Sequence, residues 1–477
     1  MSVEAGTEQS AGDEAAEVQQ HAGPAAPQPS QKKSLTTVLA IFASVFLLAS
    51  GSALQTTAVS LRAGIEGFSE QAIGIISSSY YGGLLAGSFL ALLTIRNVGY
   101  VRTFAAFASL ASATSLAHVL VISPFWWVVF RLLHGMCLSI VLVVVESWLN
   151  SSAPNKSRGR ILSLYGIVFL AANGIAQPLL GVFSPADFNL FGITSILISI
   201  CVMPIGLGDV HGNPQVGSIK IRIVGMFRKS PLGSTGVIIS GLVIGAHLTL
   251  TPRYAQTLEM DPGAIGILLM VASFGTILLQ MPLGWISDHR DRRIALIISS
   301  AVSIAAILGF TLADGMSPFL LLMGFLIGGF MMPLYPLALA IVNDQLASHE
   351  MIEAASALYV FYGLGSMLGP LLASIAMARF GPVALYLFIA LSLALFLGFG
   401  LLRLHYIPEF LVRGAKSSYR TIPRTTLVAY KLLRRPRSER VKAGRRSGQK
   451  RSGGKTGEAT SSRRTGGGSR SKKAPAE

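Results

Sequence analysis

Residues 124–165 read PFWWVVFRLLHGMCLSIVLVVVESWLNSSAPNKSRGRILSLY. The first part of this stretch is apolar for long enough to cross a bilayer as a helix, which takes about 20 residues. It nevertheless carries Arg131, His134 and Glu146, although a charged side chain at the bilayer centre costs about 2.5–3.5 kcal/mol on insertion scales. A basic loop, 153–160, separates it from a second apolar segment. This pattern indicates a membrane helix whose charged side chains have a functional or structural role.

The composition agrees with a membrane protein. Hydrophobic residues make up 51% of the chain and charged residues 13%, whereas soluble proteins carry about 25% charged residues. The mean hydropathy is +0.58, and 50 glycines allow close helix packing. Cys137 and Cys201 both lie in apolar segments, which argues against a disulfide framework.

Twelve segments are long and apolar enough to span a bilayer. They lie near 36–59, 70–94, 102–122, 124–147, 161–183, 188–207, 234–253, 264–286, 293–313, 317–341, 354–377 and 382–403. We therefore predict an all-α polytopic membrane protein with 12 transmembrane helices in two pseudo-symmetric six-helix halves. The predicted domains are an acidic disordered tail (1–33), a first half (34–207), a cytoplasmic linker (208–233), a second half (234–403) and a basic disordered tail (404–477).

The loops predict the orientation. Fourteen Lys and Arg residues lie in loops and ends on the same side of the membrane as the N-terminus, against three on the opposite side. Because cytoplasmic loops carry the excess of basic residues, both termini are predicted to be cytoplasmic. Residues 1–33 lack the pattern of a signal peptide.

Short segments recur between the halves at an offset of 192 residues, or 191 for one pair. The pairs are 72–75 with 264–267, Gly83 with Gly275, 178–180 with 370–372, and Arg62 with Arg253. Parallel six-helix halves with a substrate site between them describe one large class of secondary transporters.

The loop after the eighth predicted helix, 284–293, reads GWISDHRDRR. It resembles the G-x-x-x-D-R-x-G-R-R loop motif of the major facilitator superfamily, with Asp291 where the motif has glycine. Arg131 and Gly135 resemble the R-x-x-x-G motif of helix four. Residues 174–181, GIAQPLLG, resemble the helix-five antiporter motif, with Gln177 in place of the glycine before the proline.

Within that superfamily the chain is similar to the YcaD-like branch. The similar segments are 77–80, 143–147, 158–160 and 334–336. The resemblance covers about residues 36–403 and implies the fold, a cytoplasmic (inner) membrane location and transport. It does not name a substrate.

Arg131 and His134 lie on one helical face in the outer half of helix four. A buried arginine must face a cavity or a partner, so Arg131 has either a role in substrate or proton coupling or a structural role bound to carbonyl groups; we favour the first. His134 and His247 are the titratable groups best placed for proton coupling near neutral pH. A packing role is the alternative for both, and is favoured for His247.

Polar side chains in the apolar helices predict a mildly polar, aromatic-lined central site, although each alone is also typical of interhelical hydrogen bonding. The candidates for substrate or proton coupling are Arg131, His134, Gln55, Arg62, Tyr80, Tyr81, Asn173, Gln177, His247, Gln280, Tyr335 and Tyr359. Because no Asp or Glu lies at the predicted membrane centre, a neutral or anionic solute with apolar parts fits better than a cation.

Glu146 lies about 22 Å along the helix from Arg131, at the predicted cytoplasmic mouth. Neighbouring arginines favour a gate salt bridge over a protonation site there. The gate candidates are Arg96, Gly99, Arg102, Glu146, Arg158, Arg160, Gly284, Asp288, Arg292, Arg293 and Asp344. Such pairs should form when the inner side is closed and break when it opens.

The C-terminal tail holds the whole charge excess. From residue 403 onward there are 21 Lys and Arg against four Glu, which accounts for the net charge of +17. We expect this segment to contact anionic lipid headgroups rather than nucleic acid.

No nucleotide-binding loop, metal-ligand cluster or nucleophile motif is evident, so we expect neither an enzyme nor a cofactor. The leading hypothesis is a monomeric secondary transporter of a small solute that works by alternating access and is coupled to protons. The alternative is a non-transporting membrane sensor or scaffold that signals through the basic tail.

Overall fold

The computed structural model describes residues 31–152, 158–207, 223–313, 315–346 and 351–406. Within these ranges the chain forms twelve helices long and apolar enough to cross a membrane, so the predicted fold class is confirmed. The α-helices that begin these twelve spans are α1 (Gln31–Ile65), α2 (Glu70–Val98), α3 (Tyr100–Leu120), α4 (Pro124–Ser152), α5 (Arg158–Ile175), α6 (Phe188–Ile200), α7 (Pro231–Thr257), α8 (Pro262–His289), α9 (Arg292–Thr311), α10 (Pro318–Met331), α11 (Met351–Phe380) and α12 (Ala384–Tyr406).

Three of these helices change geometry before they end, which the sequence analysis did not predict. α5 continues as a 3-10 turn, Gln177–Gly181, α6 continues as Val202–Leu207, and α10 continues as Leu334–Asp344. In α5 and α10 the change falls at Pro178 and Pro333, because proline lacks a backbone N–H and its ring crowds the preceding turn.

The predicted domain boundaries stay a prediction, since residues 1–30, 208–222 and 407–477 lie outside the described ranges. A short helix, Ile223–Lys229, occupies part of the predicted linker. α7 begins at Pro231, three residues before the predicted second half.

Side-chain caps define where the second helix of each half begins. The Ser69 hydroxyl accepts a hydrogen bond from the Ala72 N–H at 3.2 Å. The Asp261 carboxylate accepts one from the Gly263 N–H at 2.9 Å. Each cap satisfies a backbone donor that has no partner within its own helix.

The repeat in sequence corresponds to a repeat in packing. A Cβ atom built on Gly83 of α2 would lie 2.0 Å from the Leu132 carbonyl oxygen of α4. A Cβ atom on its counterpart Gly275 of α8 would lie 2.1 Å from the Phe325 carbonyl oxygen of α10. In both halves, therefore, only glycine permits these two backbones to approach so closely.

The main contacts between the halves in the described ranges involve four helix pairs, α2 with α11, α5 with α8, α1 with α7, and α2 with α7. α3, α6, α9 and α12 pack on helices of their own half. The remaining eight helices thus surround the interface between the halves.

Candidate functional site

A cavity of about 280 Å³ lies between the two halves. α1, α2, α4 and α5 line it from the first half, and α7, α8, α10 and α11 from the second. Seven of the predicted substrate residues are brought together in this lining: Tyr80, Tyr81, Asn173, Gln177, His247, Gln280 and Tyr359.

A hydrogen-bonded chain fixes the polar wall of the first half. The Thr57 hydroxyl donates to the Gln177 side-chain oxygen at 2.9 Å. The Gln177 amide donates in turn to the Asn173 carbonyl oxygen at 3.2 Å. Gln177, which replaces a motif glycine, thus holds α1 against the end of α5.

Aromatic side chains and a histidine form much of the opposite wall. Tyr359 donates to the Leu84 carbonyl oxygen at 3.3 Å, which links α11 to α2 across the interface. The His247 Nδ1 atom lies 3.0 Å from the Thr251 hydroxyl. Tyr335 does not line the cavity itself; its ring packs edge-on against cavity-lining Tyr362, with centroids 4.8 Å apart.

Arg131 lies directly behind the cavity wall and is 1% exposed. The centroid of the Tyr80 ring is 4.3 Å from its guanidinium carbon, a cation–π contact. Its two terminal nitrogens lie 3.4 and 3.5 Å from the Thr56 hydroxyl. Both Tyr80 and Thr56 line the cavity, so one layer of side chains separates this cation from the central space.

Two further predicted residues are buried inside the first half and do not line the cavity. The His134 Nδ1 atom lies 3.2 Å from the Thr114 hydroxyl, and its ring centroid is 6.4 Å from that of Tyr80. Gln55 accepts a hydrogen bond from the Thr194 hydroxyl of α6 at 2.7 Å. The neighbouring positions 52, 56 and 57 line the cavity instead.

The cavity also contains hydroxyl groups that the sequence analysis missed. They belong to Ser52, Thr56, Thr57, Ser273, Thr276 and Ser366. Ser52 and Thr56 are four residues apart on α1, a spacing that places them on one helical face and could have indicated the site.

The predicted gate residues of the first half lie at the end of the bundle that we predict to be cytoplasmic. Glu146 is fully buried and accepts a hydrogen bond from the Tyr165 hydroxyl at 3.3 Å. Arg96, Arg102 and Arg160 are exposed, and Gly99 joins α2 to α3 with a φ of +87°. The side chain of Arg158 lies outside the described residues. The predicted salt bridge of Glu146 stays a prediction.

The corresponding loop of the second half forms an ion-pair cluster. The Arg292 Nε atom lies 2.6 Å from Asp344 Oδ2 at the end of α10, and the Arg292 Nη1 atom lies 3.4 Å from Asp288. Arg293 pairs with Asp291 at 2.6 Å. The Asp291 carboxylate also caps α9 with a φ of −62°, so the motif position occupied by Asp291 does not need glycine here.

At the opposite end, Glu70, Arg253, Gln256 and Leu61 connect the two halves, and we call them the outer latch. Arg253 of α7 donates to Glu70 of α2 from two nitrogens, at 2.9 and 2.7 Å. The Gln256 amide donates to the Leu61 carbonyl oxygen of α1 at 3.1 Å. The counterpart of Arg253, Arg62, pairs with Glu66 at 2.5 Å inside its own half and lies away from the cavity lining.

Changing Glu70 to glutamine is expected to shift the protein about fivefold toward states that are open at this end, because a partly exposed ion pair contributes about 1 kcal/mol. The shift can be measured as longer distances between spin labels at Ile65→Cys and Leu258→Cys, with Cys137 and Cys201 replaced by alanine. Glu66→Gln is the matched control, since it breaks an ion pair within one half. Equal distance distributions for the Glu70 and Glu66 variants would contradict the role of the latch.

Comparison with known proteins identifies the class. The model of the Major Facilitator Superfamily matches residues 41–261 and 233–438. The chain therefore belongs to the Major Facilitator Superfamily, a family of membrane transporters.

Individual relatives agree with this assignment. The chain is 29% identical over 356 residues to an uncharacterized MFS-type transporter, YcaD, of Escherichia coli O45:K1 (strain S88 / ExPEC), covering 74% of this chain and 92% of YcaD. Among solved structures it resembles the nucleoside transporter NupG, with a TM-score of 0.63 and 15% identity, covering 78% of this chain and 99% of NupG. It also resembles a bacterial homologue of the human lysosomal transporter Spinster in an inward-facing, occupied conformation, with a TM-score of 0.63, 14% identity and coverage of 82% and 100%. These structural likenesses support the fold.

Proposed function

We propose that the chain is a secondary transporter that binds a small solute in the central cavity and moves it across the inner membrane by alternating access. The observation that carries this proposal is that four helices of each half line one cavity. A site shared by two rigid halves can open first to one side and then to the other when the halves rock. The outer latch connects the two halves and is our candidate gate at one end, whereas the Arg292–Asp344 cluster at the other end lies within the second half and holds its helices together.

We further propose that transport is coupled to protons through the histidines beside the cavity. His247 lines the cavity, and His134 lies behind Tyr80. The basic loops support cytoplasmic termini, and the basic tail would adhere to anionic lipid headgroups next to them.

Filling the cavity is expected to stop transport. Ala53 lines the cavity, so Ala53→Trp should lower solute flux at least about tenfold by occupying the space that a ligand needs. The matched control is Ala113→Trp on an exposed face of α3, which should change flux less than about twofold. The assay uses proteoliposomes and solutes that raise the melting temperature of the purified protein in a metabolite library.

The same proteoliposomes test coupling. Flux should rise with an imposed pH gradient. Flux that is independent of the gradient would contradict proton coupling and indicate a facilitator instead. If no stabilising solute is transported, and deletion of residues 414–477 abolishes a cellular response, the sensor hypothesis replaces transport.

A further inference from the structure

The guanidinium group of Arg131 has no anionic partner among the residues that the structure describes. Its Nε atom is buried without a hydrogen-bond acceptor. Its contacts with Thr56, at 3.4 and 3.5 Å, are longer than the usual 2.7–3.2 Å of a protein N–H···O bond. The Tyr80 ring contributes a cation–π contact but no counter-charge. A buried cation in this condition is destabilising unless another group supplies the anion.

The position of Arg131 makes its charge relevant to the cavity. Thr56 and Tyr80, which contact the guanidinium, are both part of the cavity wall. Within the described part of the chain, no Asp, Glu, Lys or Arg side chain lines the cavity itself. Arg131 therefore places a positive charge one layer behind the Thr56 and Tyr80 wall, and in a low-dielectric interior this charge is weakly screened.

The rest of the lining is suited to an apolar body. Leu84, Leu138, Leu170 and Ile277 face the cavity from four different helices, and Tyr359 adds an aromatic ring. The polar groups of the lining are neutral hydroxyls and amides, so they suit a solute whose body is uncharged apart from one group.

We propose that the cavity selects an organic monoanion: a carboxylate with an apolar or aromatic body, whose carboxylate approaches the Thr56 and Tyr80 wall with Arg131 as its counter-ion. This inference rests on the proposed binding role of the cavity and adds the charge and class of the solute. A cation is disfavoured by the same guanidinium, and a neutral molecule leaves the charge of Arg131 uncompensated.

The test compares matched probes that differ only in charge. Benzoate, phenylacetate, phenylpropionate and phenylbutyrate, with the corresponding amides and phenylalkylamines, are titrated into the purified full-length protein at constant ionic strength. Binding is measured from the shift in melting temperature. At least one carboxylate should bind about tenfold or more tightly than its amide, and its amine should bind more weakly still.

Variants of Arg131 assign that preference to its charge. In Arg131→Gln the carboxylate and the amide should differ by less than about twofold. Arg131→Lys keeps the charge but loses the planar donor geometry, so the preference should weaken and persist. Arg379→Gln removes an exposed arginine at the end of α11 and should leave the preference unchanged.

Several results would overturn the inference. These are equal or tighter binding of amides or amines, a carboxylate preference that survives in Arg131→Gln, or no stabilisation by any carboxylate in the series. Sodium chloride is titrated as a separate arm, because an equal Arg131-dependent effect of chloride would indicate a site for a small inorganic anion. If Arg131→Gln does not fold, the ranking of probes with the wild type and with Arg131→Lys still decides the question.

The outcome is distinguishable from failure of the proposed function. Carboxylate binding without flux in proteoliposomes would contradict transport and leave the charge preference intact. Flux of neutral or cationic solutes without a carboxylate preference would contradict this inference and leave transport intact.

Discussion

Replacing Gly135 by alanine should lower the free energy of unfolding by about 3 kcal/mol, the upper end of what overpacking of a tightly packed interface costs. A Cβ atom at this position would lie 2.1 Å from the Tyr80 carbonyl oxygen, and backbone cannot rotate aside as a side chain does. α2 and α4 would have to separate, which would also displace Tyr80 from Arg131. The loss can be measured by thermal denaturation of purified protein in detergent.

The control for this variant is another helical glycine. A Cβ atom on Gly398 of α12 would meet nothing within 4 Å, so Gly398→Ala should be neutral or stabilising by about 0.5–1 kcal/mol. Gly328→Ala in the second half should behave like Gly135→Ala, because its Cβ atom would lie 1.9 Å from the Ala272 carbonyl oxygen. Equal stability of the Gly135 and Gly398 variants would refute the packing argument.

Removing the carboxylate of Asp344 should cost about 3 kcal/mol of stability, as breaking a buried ion pair from one side does. Arg292 is 4% exposed and Asp344 12% exposed, so neither charge is well hydrated. In Asp344→Ala, Arg292 would still lie 3.4 Å from Asp288 and 3.4 Å from the Ser287 hydroxyl, both longer than its 2.6 Å contact with Asp344. Thermal denaturation measures this loss, and Arg292→Met combined with Asp344→Ala should recover part of it.

A pair with similar geometry but more exposure provides the comparison. Glu66→Ala removes the partner of Arg62, and because this pair is more exposed the loss should stay below about 1 kcal/mol. A loss for Asp344→Ala that is no larger than for Glu66→Ala would contradict the claim that burial sets the strength of the Arg292–Asp344 pair.

The close glycine contacts and the Arg292–Asp344 pair also explain how each half can move as a unit. The glycine contacts join α2 to α4 and α8 to α10 through their backbones. Arg292 joins the start of α9 to the end of α10, and Arg293 donates to the Arg403 carbonyl oxygen of α12 at 3.3 Å. Rigid halves with few gate contacts between them are what a rocking transport cycle requires.

Much of the site could be predicted because polar residues are rare in apolar helices. Tyr80, Asn173, Gln177 and Gln280 stand out for that reason, and all four line the cavity. Gln55 stands out equally, yet it bonds to Thr194 within its own half. The adjacent Thr56, a less conspicuous residue, contacts both the cavity and Arg131.

The sequence by itself determined the number of spans, the two-half repeat and the presence of a charged fourth helix. The physical reason is local: a bilayer requires about 20 apolar residues per crossing and internal satisfaction of every backbone group. Only the tertiary structure decided which face of each helix meets the cavity, since lipid and neighbouring helices are both apolar and leave little pattern along the chain. It also decided that Arg253 pairs with Glu70, 183 residues away, whereas its counterpart Arg62 pairs within its own half. The same packing places Arg131 one layer behind the wall, where its charge can act on a solute without lining the cavity.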